Sequence, residues 1–236
     1  MRRILWCIML LVLSLQAEEI YATFNVEAAQ HADLAFVSSG TVEKVNVDVA
    51  SIVKKGDILA ELNNDDLKAA LDIATIALKY ARKEYERQVK VKKLVDASKF
   101  DSYIFRYENA KAQFAYQQAL LDKTQLKAPF DGVIYEKNLE TGDAVSGAMI
   151  RTVMRVQSIK KRKLVLEIDQ KYWKVLKVGQ TFNYSIDGDN TKYRGTLSKI
   201  YPFANSGNRK IKAEVKAKGF TPGLFGNGTI LLPDTK

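Results

Sequence analysis

The sequence predicts an α+β, elongated, multi-domain protein. An antiparallel helical hairpin is inserted in a duplicated β-sandwich, and a small antiparallel β-barrel follows. Three observations predict this. Residues 64–123 contain no Pro and no Gly, and their apolar residues recur at heptad spacing. Similar strand-like stretches flank that segment on both sides. From residue 152 onward, short alternating runs are separated by turns rich in Gly and Asn.

The bulk composition fits. The chain has 236 residues, of which 47% are hydrophobic and 27% charged, room for two or three small domains. The net charge is +10. Its densest runs are Lys90-Val91-Lys92-Lys93 and Lys160-Lys161-Arg162-Lys163. No nucleic-acid-binding module accompanies the charge, so it reads as a solvated basic surface with no nucleic-acid partner.

Residues 1–17 read as a secretory signal peptide. Arg2-Arg3 precede an almost wholly apolar run, Ile4 to Leu15, and Ala17 offers a small residue for cleavage. The run is shorter than the ~20 residues a spanning helix needs. A retained short anchor is the alternative. Cys7 stands too early in the run to be a lipoprotein cysteine. Once the leader is cut, no cysteine remains, which suits an oxidising compartment.

Residues 18–34 alternate at Ile20, Ala22, Phe24 and Val26 and are expected to join the later barrel sheet. Residues 35–63 are rich in Val and turn at Gly40 and again at Gly56-Asp57. Residues 125–148 repeat them. With Gly40 aligned to Gly132, Val42 falls on Ile134, Val47 on Leu139, Asp48 on Glu140 and Val53 on Val145; Gly56 meets Gly147 after a one-residue gap. This is an internal duplication. Two half-motifs that cannot bury their faces alone are expected to pair about a pseudo-twofold into a sandwich.

Between the halves, residues 64–124 form the predicted hairpin. One seam is Leu67, Leu71, Ala74, Leu78, Ala81 and Tyr85. The other is Phe100, Tyr103, Tyr107, Ala110, Phe114, Gln117 and Leu121. Steps of three and four residues keep each seam on one helix face. The first helix is expected over Asp65–Val95, roughly 47 Å at 1.5 Å per residue. Asn64 is expected to cap it, with Asp65 and Asp66 at the positive end of its dipole. A polar break at Asp96-Ala97-Ser98 precedes a second helix of about 25 residues. Insertion into a small base requires the two ends of the hairpin to lie close together.

Residues 149–236, together with 18–34, form the predicted barrel. Alternating runs stand at Leu164-Leu166-Ile168, Phe182-Tyr184-Ile186, Tyr193-Gly195-Leu197, Ile211-Ala213-Val215 and Ile230-Leu232. Gln170 to Lys177 is expected to add one helical turn. Asp187-Gly188-Asp189-Asn190 lacks the glycine and the closing Glu of a calcium loop and reads as a hairpin turn.

Nothing in the sequence assembles an enzyme, a metal site or a cofactor site. His31 is the only histidine, no cysteine follows the leader, and no Gly-rich phosphate loop or nucleophile elbow appears. The aromatics within the helices read as seam packing.

A duplicated half-motif split by a helical hairpin and followed by a β-barrel resembles the periplasmic adaptors (HlyD-like membrane fusion proteins) of Gram-negative tripartite efflux pumps. In the barrel, Val178-Gly179-Gln180, Tyr193-Arg194-Gly195-Thr196-Leu197, Ile200-Tyr201-Pro202, Asn208-Arg209 and Thr221-Pro222-Gly223-Leu224-Phe225 are similar to that family's recurrent turns. At the hairpin tip, Arg87, Val91 and Ser98 stand at the spacing of the family's channel-contact motif, with Val91 in place of the usual Leu. The resemblance implies a lipoyl-like fold for 35–63 with 125–148 and a coiled-coil hairpin for 64–124. It implies a non-enzymatic subunit in the periplasm, linking an inner-membrane transporter of the resistance-nodulation-division (RND) type to a TolC-type outer-membrane channel. Export of drugs or other small molecules and a homo-oligomer, a hexamer, are implied with it. In this role Arg87 forks onto carbonyls or carboxylates of the channel, Val91 fills an apolar notch, and Ser98 caps the second helix while presenting its hydroxyl. The family architecture implies a further membrane-proximal β-domain, where this sequence ends at Leu232-Pro233-Asp234-Thr235-Lys236; transporter contact is then expected from the barrel and the N-terminus. The alternatives are an adaptor of an ATP-driven (ABC-type) exporter, a lipoyl or biotinyl carrier subunit of an enzyme, and a coiled-coil scaffold unrelated to transport.

Overall fold

A computed structural model describes residues 19–94 and 96–232. The expected leader and Val95 lie outside the described residues. In chain order the elements are β1 (Glu19–Ala28), β2 (His31–Leu34), β3 (Gly40–Val45), β4 (Ile52–Val53) and β5 (Ile58–Leu62). Two helices follow, α1 (Asp65–Lys90) and α2 (Ala97–Asp122), separated by a 3-10 turn at Lys92–Leu94. Then come β6 (Gln125–Lys127), β7 (Gly132–Lys137), β8 (Ala144–Val145), β9 (Met154–Gln157) and β10 (Lys161–Asp169). After a 3-10 turn at Gln170–Tyr172, the chain ends in β11 (Thr181–Ile186), β12 (Tyr193–Asn205), β13 (Lys210–Lys218) and β14 (Phe225–Leu231). The fold is mixed α/β in two compact units, residues 31–159 and residues 19–30 with 160–232.

Residues 31–159 hold two four-stranded sheets, ordered β2-β9-β7-β4 and β6-β5-β3-β8. The duplication is written in these orders: each half-motif lends its two-residue strand to the other half's sheet. Gly40 and Thr41 of β3 pair with Val145 and Ala144 of β8, and Ile52 and Val53 of β4 pair with Val133 and Gly132 of β7. The linking turns match atom for atom. Ser51 Oγ accepts from the Asp48 N–H at 2.9 Å, and an Asp143 carboxylate oxygen accepts from the Glu140 N–H at 2.8 Å. Ala50 N–H donates to the Ile134 carbonyl and Gly142 N–H to that of Val42. Further on, Lys55 N–H donates to Asp131 and Gly147 N–H to Ser39. Lys55, not Gly56, is therefore the partner of Gly147, and the gap in the sequence alignment disappears. Lys137 sits between the two duplicated acids, 2.6 Å from Glu140 and 3.8 Å from Asp48. Its Nζ donates to the Glu140 carboxylate, and that hydrogen bond raises its pKa.

One position of the duplication is mismatched. Gly142 has φ +95°, and its counterpart Ala50 takes the same left-handed region at φ 70°. A Cβ there costs on the order of 1 kcal/mol, while glycine adopts the region freely. Ala50→Gly is expected to raise the stability of this unit by about 1 kcal/mol, read as a higher urea midpoint; an unchanged or lower midpoint counts against this account.

The core between the two sheets is built from Val42, Leu59 and Leu62 on one side and Ile134, Met154 and Val156 on the other, all nearly inaccessible to solvent. Its sheets include β2 and β9, whose sequences fall outside the expected boundaries 35–63 and 125–148. Ala32 pairs with Val156, and the carboxylates of Asp33 and Glu136 lie 3.1 and 2.7 Å from the Arg155 guanidinium. Alternation in a short strand shows that one face is buried, not which core buries it, so these strands were placeable only through their partners.

β5 and β6 are neighbours, with Ala60 opposite Leu126 and Glu61 opposite Gln125, and each continues within a few residues into a helix. The two helix ends are clasped by a buried hydrogen bond, Asn64 Nδ2 to Thr124 Oγ1 at 3.0 Å, and Thr124 Oγ1 donates in turn to the Leu121 carbonyl. Asn64 was expected to cap α1, but its side chain makes no cap bond. The clasp uses it instead. The heptad positions are the ones that face inward: Ala74, Phe100 and Leu121 are buried, and the remaining seam residues are half-buried. Asn64→Leu is expected to cost about 1–3 kcal/mol, because it leaves the buried Thr124 hydroxyl without its donor. Faster amide exchange at the bases of α1 and α2 would register the loss; wild-type exchange rates would contradict the clasp.

The second unit is a closed six-stranded barrel, ordered β1-β10-β13-β12-β11-β14. β1 enters it as the strict alternation of residues 20–28 implies: Ile20, Ala22, Phe24, Val26 and Ala28 point inward. Phe24, Phe182 and Tyr184 pack as rings 5.3–5.8 Å apart in its core. The 187–190 segment is a turn, with Gly188 at φ +84°. Asp189 accepts from Tyr193 Oη and from Thr191 N–H, and these bonds, the tyrosine's first, lower its pKa.

Candidate docking site at the tip of the helical pair

α1 and α2 run back past one another, and their far ends meet in an aromatic cluster. Tyr85 stacks flat on Tyr107, with centroids 5.2 Å apart and planes 1° apart, and lies 6.2 Å from Phe100. Lys92 Nζ stands 4.9 Å over the Phe100 ring, which ties the connecting turn to α2. The seam spacing marks these rings as inward-facing, but the stack itself has no sequence signature.

Arg87 lies in the last turn of α1, where a cation suits the negative end of the helix dipole. It is exposed and makes no ion pair among the described residues, whereas Arg82, one turn earlier, is held by Glu86 at 2.9 Å. Val91 closes α1, its N–H reaching back to Gln88, and is 42% exposed. Leu94 follows in the connecting turn, 87% exposed. Ser98 is exposed in the first turn of α2. All three sequence candidates thus sit at one end of the helical pair and face solvent. One expected role is corrected: Ser98 does not cap α2. The cap is Asp96, whose carboxylate accepts from the Lys99 N–H at 3.2 Å. Asp binds this position more strongly than a serine two residues inside the helix, since it also meets the dipole as an anion. The Ser98 hydroxyl is then left for another partner.

The charge at this end is lopsided. Arg87, Lys90, Lys92, Lys93 and Lys99 are exposed there, against Asp96 and Asp101. α1 also ends at Lys90, earlier than the expected Val95, because the chain tightens into the Lys92–Leu94 turn. A basic rim around two exposed apolar side chains, Val91 and Leu94, is a surface for acidic groups surrounding a small apolar notch.

Among the described residues no helix is long and apolar enough to cross a membrane, and no group of three or more His, Cys, Asp or Glu side chains is placed to hold a metal ion.

The chain is similar to several known proteins. It is 27% identical over 209 residues to the cobalt-zinc-cadmium resistance protein CzcB of Cupriavidus metallidurans, covering 79% of this chain and 40% of that one. It is 25% identical over 229 residues to the macrolide export protein MacA of Yersinia pestis, covering 82% of this chain and 61% of that one. The chain thus spans less than two thirds of the length of these relatives. In fold it is similar to the crystal structure of a MacA-MexA chimera carrying the Pseudomonas aeruginosa MexA α-hairpin domain. There the TM-score is 0.82 at 21% identity, over 93% of this chain and 84% of that one. Residues 30–156 match the family described as the CzcB-like barrel-sandwich hybrid domain. These residues are the two duplicated half-motifs together with the helices between them, and the chain belongs to that family.

Proposed function

We propose that this chain is a periplasmic adaptor subunit of a tripartite efflux pump. Its α1–α2 pair acts as an antiparallel coiled-coil arm whose tip meets a TolC-type outer-membrane channel, and its barrel serves an inner-membrane transporter of the RND type. The observation that carries the reading is the exposed, basic tip formed by Arg87, Val91 and Ser98, held at the end of a helical pair whose two bases are clasped together where they leave the duplicated sandwich. The sequence similarity to a cobalt-zinc-cadmium resistance protein and to a macrolide export protein supports a role in export. The leader expected at residues 1–17 supports delivery to the periplasm. Side-by-side copies, a hexamer, would form the conduit. No chemistry is assigned to the chain: its part is to hold two membrane components in register.

The resemblance to periplasmic adaptors leaves one second reading, in which the transporter is driven by ATP. In-cell photo-crosslinking separates the two. A crosslinker at residue 91 is expected to capture an outer-membrane channel. One in the barrel, at residue 203, is expected to capture a transporter, whose identity by mass spectrometry decides between the RND and ATP-driven classes. Absence of a channel from the residue-91 products would overturn the tip assignment.

A further inference from the structure

The segment between β10 and β11 has two faces of opposite use. Its inner face closes one end of the barrel: Leu176 is buried in the barrel core and Tyr172 packs against it. The buried Gln180 fixes the segment's shape, with Nε2 donating to the Val175 carbonyl at 2.9 Å and Oε1 accepting from the Lys177 N–H at 2.8 Å. Its outer face carries Trp173, 64% exposed, with Val175 and Val178 also exposed. Lys171, Lys174 and Lys177 are interleaved with them, and none makes an ion pair among the described residues. Lys171 and Lys174 lie over the rings of Tyr172 and Trp173 at 4.8 and 5.4 Å. Arg209 joins the same rim, its carbonyl accepting from the Gln170 N–H at 3.0 Å. The acids near it are few. Asp169 caps the turn at the Lys171 N–H, Glu167 is paired with Lys210 at 3.0 Å, and Glu19 opens β1.

We infer that this rim rests on the surface of an anionic phospholipid bilayer, with Trp173, Val175 and Val178 in the headgroup region and Lys171, Lys174, Lys177 and Arg209 against lipid phosphates. Two observations select a bilayer. Exposed Trp flanked by Lys is the composition of a membrane interface: the indole sits at the headgroup level, and the lysines add attraction to anionic lipid. The internal bonds of Gln180 hold the apolar side chains outward, where a disordered loop would fold them away. The inference stands apart from the efflux reading, because pure lipid vesicles contain neither transporter nor channel.

The test uses Trp173 itself. The chain has two tryptophans, Trp6 and Trp173, so in the full chain bearing Trp6→Phe all indole emission comes from the rim. Vesicles of phosphatidylcholine alone are compared with vesicles in which part of it is replaced by phosphatidylglycerol, each also prepared with brominated acyl chains. The expected result is a blue shift and bromine quenching of Trp173 with the phosphatidylglycerol vesicles. Lys171→Gln, Lys174→Gln and Lys177→Gln are each expected to weaken the quenching-derived affinity roughly 5-fold, an effect that fades with salt. Lys216→Gln with Lys218→Gln, at the opposite end of the barrel, is expected to leave it unchanged. Absence of quenching with both vesicles overturns the inference. So does a triple glutamine variant that is quenched like its parent, or a rim that crosslinks to a membrane protein in cells while ignoring lipid. Far-UV circular dichroism of each variant ensures that a lost signal is not a lost fold.

Discussion

Arg87→Glu is expected to abolish efflux-dependent resistance, to the level of cells lacking the protein, while leaving stability within about 0.5 kcal/mol of the wild type. The side chain is exposed and has no partner among the described residues, so folding does not depend on it. At a docking surface the same change is severe. It removes a planar, five-donor group suited to carboxylates and carbonyls, and sets a negative charge against the acidic groups that the basic tip is suited to meet. Lys79→Glu, an equal charge change on the exposed middle of α1, is the control and is expected to be silent. Drug or metal resistance of the Arg87→Glu strain, with protein levels measured alongside, decides the matter. Full resistance would falsify the tip assignment. Val91→Leu is expected to preserve or improve function, since the longer side chain fills an apolar notch more fully.

The largest structural effect is expected in the barrel, from the smallest substitution. β14 carries Gly226 and Gly228, and the ring edges of Phe24 and Phe182 occupy the space where their side chains would stand. A Cβ on Gly228 would come within 2.2 Å of the Asn183 carbonyl oxygen and 2.8 Å of the Phe182 ring. On Gly226 it would meet the Ser185 oxygen at 2.3 Å and Phe24 at 2.5 Å. Neither backbone oxygen can withdraw without breaking the ladder between β11 and β14. Gly228→Ala is expected to destabilise the barrel by roughly 3 kcal/mol, at the high end for overpacking. Because the chain has two compact units, the unfolding of one is best isolated by hydrogen exchange. Protection is expected to collapse in β11 and β14 and to persist in α1 and α2. Uniform protection across the chain would show that the contacts relax cheaply.

Legibility in the sequence followed the length of the periodicity. The helices could be read because six inward positions in the first and seven in the second repeat without interruption, and every one named from the heptads is buried or half-buried. The duplication was legible because matched positions recur at one offset, and the crossed pairing of β3 with β8 and β4 with β7 is its geometric result. Features decided by a single hydrogen bond were not legible. Asn64 and Asp96 are both plausible caps by residue type. Only Asp96 meets a free N–H, while Asn64 is drawn into the clasp with Thr124, sixty residues away. β2 and β9 were misplaced because four alternating residues are compatible with either core. At the tip the sequence fixes which residues gather, through the length of the helices, but not the tight turn that ends α1 early at Lys90. The 170–179 turn was visible only as a helical turn. Its Lys, Trp and Val interleaving was a signal in the sequence, and the barrel then showed which of those side chains point outward.

The arm grows from neighbouring strands, β5 and β6, and its two roots are pinned together by Asn64 and Thr124. Everything beyond that clasp is therefore a module with one attachment. Equal numbers of heptads inserted in α1 and α2 would lengthen it, or equal deletions shorten it, without altering a contact in the sandwich, provided Tyr85, Phe100 and Tyr107 travel with the tip. A lineage could tune the length of such an arm by paired insertions and deletions alone, while the base and the far end evolve independently of each other.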